Sequence, residues 1–240
     1  MTIGSVAGGT GAPGSGCPHS RGATALRKWL TRSASPRYGA EVPSVALVEW
    51  NSRRAQRVQD LLGAHERVGG VGVGRRWRTE QLNWALVLRV AAEFQGYCRD
   101  LHDLAAEEIA VQAGQLNGQL QAVVRSMLTE GRRLDGGNAN AGNLGSDFGR
   151  LGLSLWPEIK RHSERRAAIW NARLDALNDA RNAVAHDDTA KLAELAIKGY
   201  PLSRLATIRR FYSGVSGLAL ITDRVVADYL RKLLGGASPW

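Results

Sequence analysis

Apolar residues recur along this chain with the period of an α-helix. Between residues 43 and 236 they return at steps of three and four positions, which places them on one face of a helix. No stretch alternates apolar and polar residues as a half-buried strand does. The pattern therefore predicts an all-α fold, an antiparallel bundle of five to six helices.

Breaks in this pattern set the ends of the predicted helices. Thr79, Asp147 and Ser163 are the expected N-caps, because their short polar side chains can accept hydrogen bonds from free amides. In the third helix Leu120, Val123 and Met127 belong to the stripe expected to face the core. The predicted helices cover residues 45–68, 79–113, 116–134, 163–186 and 203–234, with shorter segments after 147 and near 192–197.

The second predicted helix carries an acidic stripe beside its apolar one, formed by Glu93, Asp100, Asp103 and Glu107. One interpretation is a solvated face. The other is that Glu93 or Asp100 points inward and holds an arginine from another helix. His102 follows this stripe and is expected to face a different side from the core, with no assigned role.

Two stretches rich in glycine predict loops. Residues 69–74 lack the Gly-Lys-Ser/Thr ending of a phosphate-binding loop and are expected to link two helices. Residues 136–143 combine glycine with asparagine, both of which tolerate left-handed backbone angles. This second loop is long enough to reach over a site.

Composition predicts a domain boundary near residue 42 and gives the chain a positive net charge. Residues 1–42 are rich in Gly, Ser, Pro and Arg and predict a disordered arm before a helical domain at 43–236. The formal net charge is +10, which suits a polyanion such as RNA, although an arginine-rich composition alone could also produce it. Cys17 and Cys98 are too few for a disulfide framework, and no apolar run is long enough to span a membrane, so a cytoplasmic protein is expected.

The concentrated chemistry of the chain lies at Arg181-Asn182-Ala183-Val184-Ala185-His186. Asn178, Asn182 and His186 are four residues apart and share one face of a helix. Arg181 is long enough to reach the same volume. A guanidinium offers a planar fork of donors to phosphate oxygens, and an imidazole can exchange a proton near neutral pH. The alternative is that Arg181 forms an ion pair with Asp175, Asp179 or Asp187 and that His186 is a surface residue without a function.

This motif resembles the signature of the HEPN family (higher eukaryotes and prokaryotes nucleotide-binding), an Arg, a polar residue that is often Asn, and a His a few residues later. Arg181, Asn182 and His186 match it in identity and spacing. The resemblance implies a metal-independent endoribonuclease without a cofactor, acting as a homodimer and often as a toxin restrained by an antitoxin protein. It also implies that His186 is the acid or base, that Arg181 stabilises the phosphate and that Asn182 orients one of them.

Further residues are candidates for substrate binding, namely Asn178, Arg75, Arg76 and Arg78. Asp187 and Asp188 follow His186 directly and would repel a phosphate unless they turn away from it.

Two alternative functions stay open. A non-catalytic helical module could bind RNA or dimerise through the N-terminal arm and the arginines of the last helix. An HD-type metal phosphohydrolase would use, in order, His162, His186-Asp187 and Asp223.

Overall fold

The computed structural model describes residues 42–69, 76–115, 117–236 and 239–240. The predicted arm up to residue 41 and the predicted linker at 70–74 lie outside these ranges, as does Arg75. The side chains of Arg76 and Arg78 also lie outside what the structure describes. The described residues belong to one unit, Glu41–Trp240.

Within the described ranges the chain is helical and contains no strand, which confirms the all-α prediction. None of these helices is both long and apolar enough to cross a membrane. A π-helical turn, Trp50–Arg54, joins the first two helices. The helices are α1 (Val45–Glu49), α2 (Ala55–Gly69), α3 (Arg76–Gly114), α4 (Gly118–Thr129), α5 (Arg133–Gly136), α6 (Ala141–Arg150), α7 (Leu155–His162), α8 (Glu164–Ala185), α9 (Thr189–Ile197) and α10 (Leu205–Leu233).

Helix α3 packs against α2, α4, α8 and α10. Its predicted stripe is buried as expected at Phe94 and Tyr97. Trp50 lies against both rings and against Tyr212 of α10, with centroid distances of 6.0, 5.9 and 5.8 Å. The Tyr97 hydroxyl donates to the Ala219 carbonyl at 2.7 Å. Aromatic packing and one buried hydrogen bond thus fix α10, which also borders α8, against α3.

Helix α4 departs from its prediction. It ends at Thr129, and Gly131 follows with φ +67°, so the helix predicted to reach residue 134 is broken. Leu120, Val123 and Met127 are 42%, 54% and 70% exposed, although they were expected to face the core. Other side chains of α4 meet α3: Gln121 and Arg125 contact the Glu107 carboxylate at 3.0 and 2.9 Å. The side of α4 that meets α3 therefore includes polar side chains, and these three apolar residues lie outside it.

In the acidic stripe of α3, Glu93 is buried and holds arginines, as the second interpretation expects, and Asp100 holds one of them from a partly exposed position. Glu93 is only 3% exposed and receives Arg54 Nη1 at 2.9 Å and Arg57 Nη1 at 3.1 Å. Asp100 receives the other terminal nitrogen of Arg54 at 2.6 Å. The guanidinium of Arg54 lies over Gly96, where any side chain would collide with it. Arg54 of the π-helical turn and Arg57 of α2 therefore bind carboxylates of the protein itself.

Two of the three expected N-caps are wrong. Thr79 lies inside α3, which begins at Arg76. Asp147 is buried and accepts the amides of Arg133 and Leu134 at 2.9 and 2.8 Å, so it caps α5 across space. Asn140 caps α6, because its side chain accepts the Asn143 amide. Ser163 does occupy the N-cap position of α8, but its side chain makes no capping hydrogen bond.

His102 is fully buried, in contrast to its expected position away from the core. Arg132 Nη1 lies 3.2 Å from its Nδ1, and its Nε2 lies 3.0 Å from the Asp147 carbonyl oxygen. Because a guanidinium can only donate, Nδ1 is the acceptor and Nε2 carries the proton. Burial lowers the pKa of His102, so the ring is held neutral.

Candidate functional site

Helix α8 carries the predicted catalytic residues along its exposed side. Its buried face includes Leu177, Ala180 and Ala183 and packs between α3 and α10. This packing leaves Arg181 half-buried and both Asn182 and His186 exposed. The apolar stripe therefore orients the helix, and the motif is accessible as expected.

The helix ends within the motif. His186 is its C-cap, with its amide bonded to the Asn182 carbonyl oxygen at 3.0 Å. Asp187 follows with φ +52°, in the left-handed region, and the Asp188 amide returns to the Ala183 carbonyl oxygen at 2.9 Å. This is the hydrogen-bond pattern of a Schellman turn. It sends the chain away from the helix axis immediately after His186.

The two aspartates after His186 make different contacts. The Asp188 carboxylate accepts the Lys191 amide at 2.9 Å and so caps α9. Its charge is placed at a helix N-terminus, which stabilises it there. Asp187 is exposed in the turn itself. Only one of the two carboxylates therefore remains uncommitted beside the motif.

Arg181 is bonded to its neighbour in the chain. Its Nη1 donates to Asn182 Oδ1 at 3.0 Å. Asp179, one of its expected carboxylate partners, is instead within 3.3 Å of Lys191 Nζ. Within the described part of the chain Arg181 makes no ion pair, and the ring of His186 makes no hydrogen bond. The guanidinium and the imidazole thus both retain donors that face solvent.

The loop between α5 and α6 contacts the motif. It covers only residues 137–140, because α5 and α6 take up the two ends of the loop predicted at 136–143. Asn138 Nδ2 donates to Asn182 Oδ1 at 2.8 Å. One turn earlier on α8, Asn178 Nδ2 donates to the Ala139 carbonyl oxygen at 3.1 Å and to the Leu174 carbonyl oxygen at 2.9 Å. Asn178, a predicted substrate-binding residue, therefore holds the loop against the helix.

Other contacts hold the loop in turn. Gln95 Nε2 of α3 donates to the carbonyl oxygens of Leu134 and Gly137 at 2.8 and 2.7 Å. Asn143 Nδ2 donates to the Asn138 carbonyl oxygen at 2.8 Å. A Cβ at Gly137 would lie 2.9 Å from Asn143 Nδ2, so the close approach favours glycine there. The residue that contacts the motif is thus set by both α3 and α6.

Sequence reasoning missed Asn138 as a site residue. Its only signal was its place in a Gly- and Asn-rich loop, which indicates backbone freedom but gives no target. The contact joins residues 44 positions apart, a separation that no local pattern encodes.

The ligand set of an HD-type hydrolase is not assembled. His162 precedes α8 and His186 ends it, and a helix of 22 residues spans roughly 33 Å. His162 lies 3.6 Å from Asp228, and Asp223 is hydrogen-bonded to Ser44. No group of three or more His, Cys, Asp or Glu side chains in the described ranges could hold a metal ion.

The exposed groups in the last turn of α8 and at its C-cap are mainly donors: the Arg181 guanidinium, the amide of Asn182 and the His186 imidazole. Donors in this arrangement suit an anion with several oxygens. Comparison of the chain with protein-family models, with curated proteins and with solved structures gives no match. The geometry of the site and the motif at Arg181–His186 are therefore the evidence for its function.

Proposed function

We propose that this protein is a metal-independent endoribonuclease with Arg181, Asn182 and His186 as its catalytic residues. The observation that carries the proposal is that Arg181 and His186 both lie at the C-terminal end of α8, and neither is bonded to a carboxylate in the described ranges. Arg54, in contrast, is held by two carboxylates, and Arg150 by three backbone carbonyl oxygens.

RNA suits this set of groups because it carries its own nucleophile. His186 removes the proton of a 2′-hydroxyl, whose oxygen then bonds to the adjacent phosphorus. The bond from phosphorus to the 5′-oxygen breaks, and that oxygen takes up a proton. The products are a 2′,3′-cyclic phosphate and a 5′-hydroxyl. Arg181 stabilises the extra negative charge that develops on the phosphate oxygens.

One copy of the motif supplies one imidazole, whereas the reaction needs a base and an acid. A symmetric dimer that brings two copies of α8 together would supply both, together with two arginines. We therefore infer that the active form is a homodimer. The resemblance to HEPN toxins suggests that an antitoxin protein covers this end of α8.

The alternative based on the last helix receives less support. Arg209 lies 3.9 Å from Glu66, and Arg231 lies 2.7 Å from Asp228. Arg210 donates to the Gly199 carbonyl oxygen at 2.7 Å and lies over the Tyr200 ring. Donors that already bind protein groups contribute less to RNA binding, so the motif on α8 is the better candidate.

The test is cleavage of a single-stranded RNA by the purified full chain, with DNA of the same sequence as the comparison. We expect cleavage of RNA alone, unaffected by a chelator, with cyclic phosphate ends detectable by mass spectrometry. His186→Ala should lower the rate by about 100- to 10,000-fold, the usual contribution of an acid–base residue. Arg181→Ala should lower it by about 100- to 1,000-fold.

His162→Ala serves as the matched histidine variant, because His162 lies at the opposite end of α8. It should cleave RNA at the wild-type rate, and circular dichroism should show the same helix content for all variants. Retained cleavage in His186→Ala would show that the site is wrongly assigned. Loss of activity in the chelator and in His162→Ala together would favour the HD-type alternative.

A further inference from the structure

The side-chain oxygen of Asn182 receives two hydrogen bonds at once. Arg181 Nη1 donates from 3.0 Å and Asn138 Nδ2 donates from 2.8 Å. A guanidinium has no acceptor, so the atom of Asn182 that faces it must be the oxygen. For the same reason the Asn138 atom that faces this oxygen must be its NH₂ group. The orientation of both amides follows from Arg181.

This arrangement fixes where the remaining donors lie. With its oxygen occupied, Asn182 turns its own NH₂ group away from Arg181 and Asn138, on the exposed side of α8. The other nitrogens of the Arg181 guanidinium have no partner in the described ranges. Asn182 therefore holds the guanidinium on one side and offers an amide donor on the other.

We propose that Asn138 is a positioning residue that acts through Asn182 to aim the Asn182 amide and the Arg181 guanidinium at the reacting phosphate. This inference rests on the proposed ribonuclease function and assigns to the loop a role in it. Without Asn138, the Asn182 side chain keeps one donor on its oxygen and gains freedom to rotate. The donors of Asn182 and Arg181 are then less well aligned with the phosphate, and the cleavage rate is sensitive to that alignment.

The bond from Asn138 is not needed to attach the loop. Asn178 already binds the loop to α8 through the Ala139 carbonyl oxygen, and Gln95 binds it to α3 through the Gly137 carbonyl oxygen. Ala139 is itself buried. A side chain that only fastened the loop would be redundant here, whereas orientation of Asn182 depends on Asn138 alone among the loop residues.

The first experiment uses a matched pair of substitutions in the same loop. Asn138→Asp removes the donor that meets Asn182, whereas Asn140→Asp keeps the oxygen that accepts the Asn143 amide and caps α6. Both add one negative charge at nearby positions. Asn138→Asp and Asn138→Ala should lower kcat for RNA cleavage by about 10- to 100-fold with little change in KM. Asn140→Asp should stay within about 2-fold of wild type.

A double-mutant cycle separates positioning from a general structural role. In an Asn182→Ala background, Asn138→Ala should change kcat by less than about 2-fold, because its target is gone. An effect of the same size in both backgrounds would overturn the inference. So would full activity of Asn138→Ala in the wild-type background.

Failure of the proposed function can be recognised separately. If the wild-type protein cleaves no RNA, the proposed function fails, and binding of RNA with 2′-O-methyl riboses then decides the inference by fluorescence anisotropy. Affinity lowered by Asn138→Ala only when Asn182 is present would support the positioning role. Affinity that does not respond to Asn138→Ala would overturn it.

Discussion

His102 and Asp223 are buried titratable side chains whose stability contributions change with pH in opposite directions. Burial lowers the pKa of His102. Burial raises the pKa of Asp223 to about 6, although hydrogen bonds from Ser44 partly oppose this shift. The unfolded chain therefore binds more protons at His102 as pH falls, whereas the folded chain binds more at Asp223.

We predict that His102 makes the protein less stable as pH falls below 6.5, its ordinary pKa. Above that pH the ring is neutral in both states, and its contribution to stability is complete. Below it the unfolded state gains a proton that the folded state excludes, so stability decreases by up to about 1.4 kcal/mol per pH unit. Urea unfolding at pH 7.5 and pH 5.5 measures the difference.

The reference for this measurement is His102→Gln. Glutamine can accept from Arg132 and donate to the Asp147 carbonyl oxygen, as the neutral ring does, but it does not titrate. Asp223, Asp103 and Arg132 are the same in both proteins, so their contributions cancel in the comparison. If the two proteins lose stability equally between pH 7.5 and pH 5.5, His102 is not the cause.

Asp187 shows how a single backbone angle changes the meaning of a sequence feature. Two adjacent carboxylates after His186 suggest repulsion of a phosphate. Its left-handed φ of +52° lets the chain turn, and Asp188 then caps the next helix. Aspartate tolerates this region better than most residues, so one carboxylate makes the turn and the other serves α9.

At the scale of helices, α3 contains a glycine at position 96, in the middle of its length. Glycine there costs about 1 kcal/mol relative to alanine in helix propensity. The missing side chain lets the Arg54 guanidinium reach both Glu93 and Asp100. The side chains of Arg54 and Glu93 are 13% and 3% exposed, so their contact lies largely out of solvent.

We predict that Gly96→Ala destabilises the protein by about 2 to 4 kcal/mol. The substitution gains roughly 1 kcal/mol of helix propensity, but a Cβ would lie 2.8 Å from Arg54 Cζ and displace it. Removing one partner of a buried ion pair costs about 3 to 5 kcal/mol, which exceeds the gain in helix propensity. Urea or guanidinium unfolding gives the free energy of unfolding.

Gly149→Ala provides the comparison at a helical glycine without a neighbour. Position 149 lies in α6, and a Cβ there would meet nothing within 4 Å. This variant should gain up to about 1 kcal/mol from helix propensity. A stabilising effect of Gly96→Ala equal to that of Gly149→Ala would show that the Arg54 contact contributes nothing.

At the scale of the whole molecule, the proposed reaction requires two copies of the motif. We predict that mixing His186→Ala protein with an equal amount of wild-type protein lowers the cleavage rate per wild-type subunit to about half, because a mixed dimer has only one imidazole. After exchange of subunits, on the order of half of the dimers are mixed and about a quarter keep both histidines. Sedimentation velocity at the assay concentration establishes the dimer.

Sedimentation and the concentration dependence of the rate can also contradict the dimer. A wild-type protein that sediments as a monomer, and whose rate per molecule does not depend on its concentration, would complete the reaction with one motif. The rate per wild-type subunit would then be unchanged by added His186→Ala protein.

The sequence alone determined the features that depend on neighbours within a few turns. The helical period fixed the all-α class, the burial of Phe94 and Tyr97 and the exposure of Asn182 and His186, because each follows from the angle between nearby residues on a helix. The position of Ser163 at the start of α8 was likewise visible from local chemistry.

Tertiary structure decided whatever depends on residues far apart in the chain. The acidic stripe could face solvent or an arginine, and only the position of α2 against α3 places Glu93 inward. The stripe of α4 was misassigned because its partner contacts the other side of that helix. Asn138 meets Asn182 across 44 residues, and this contact exists because α3, α6 and α8 together hold the loop at the end of the motif.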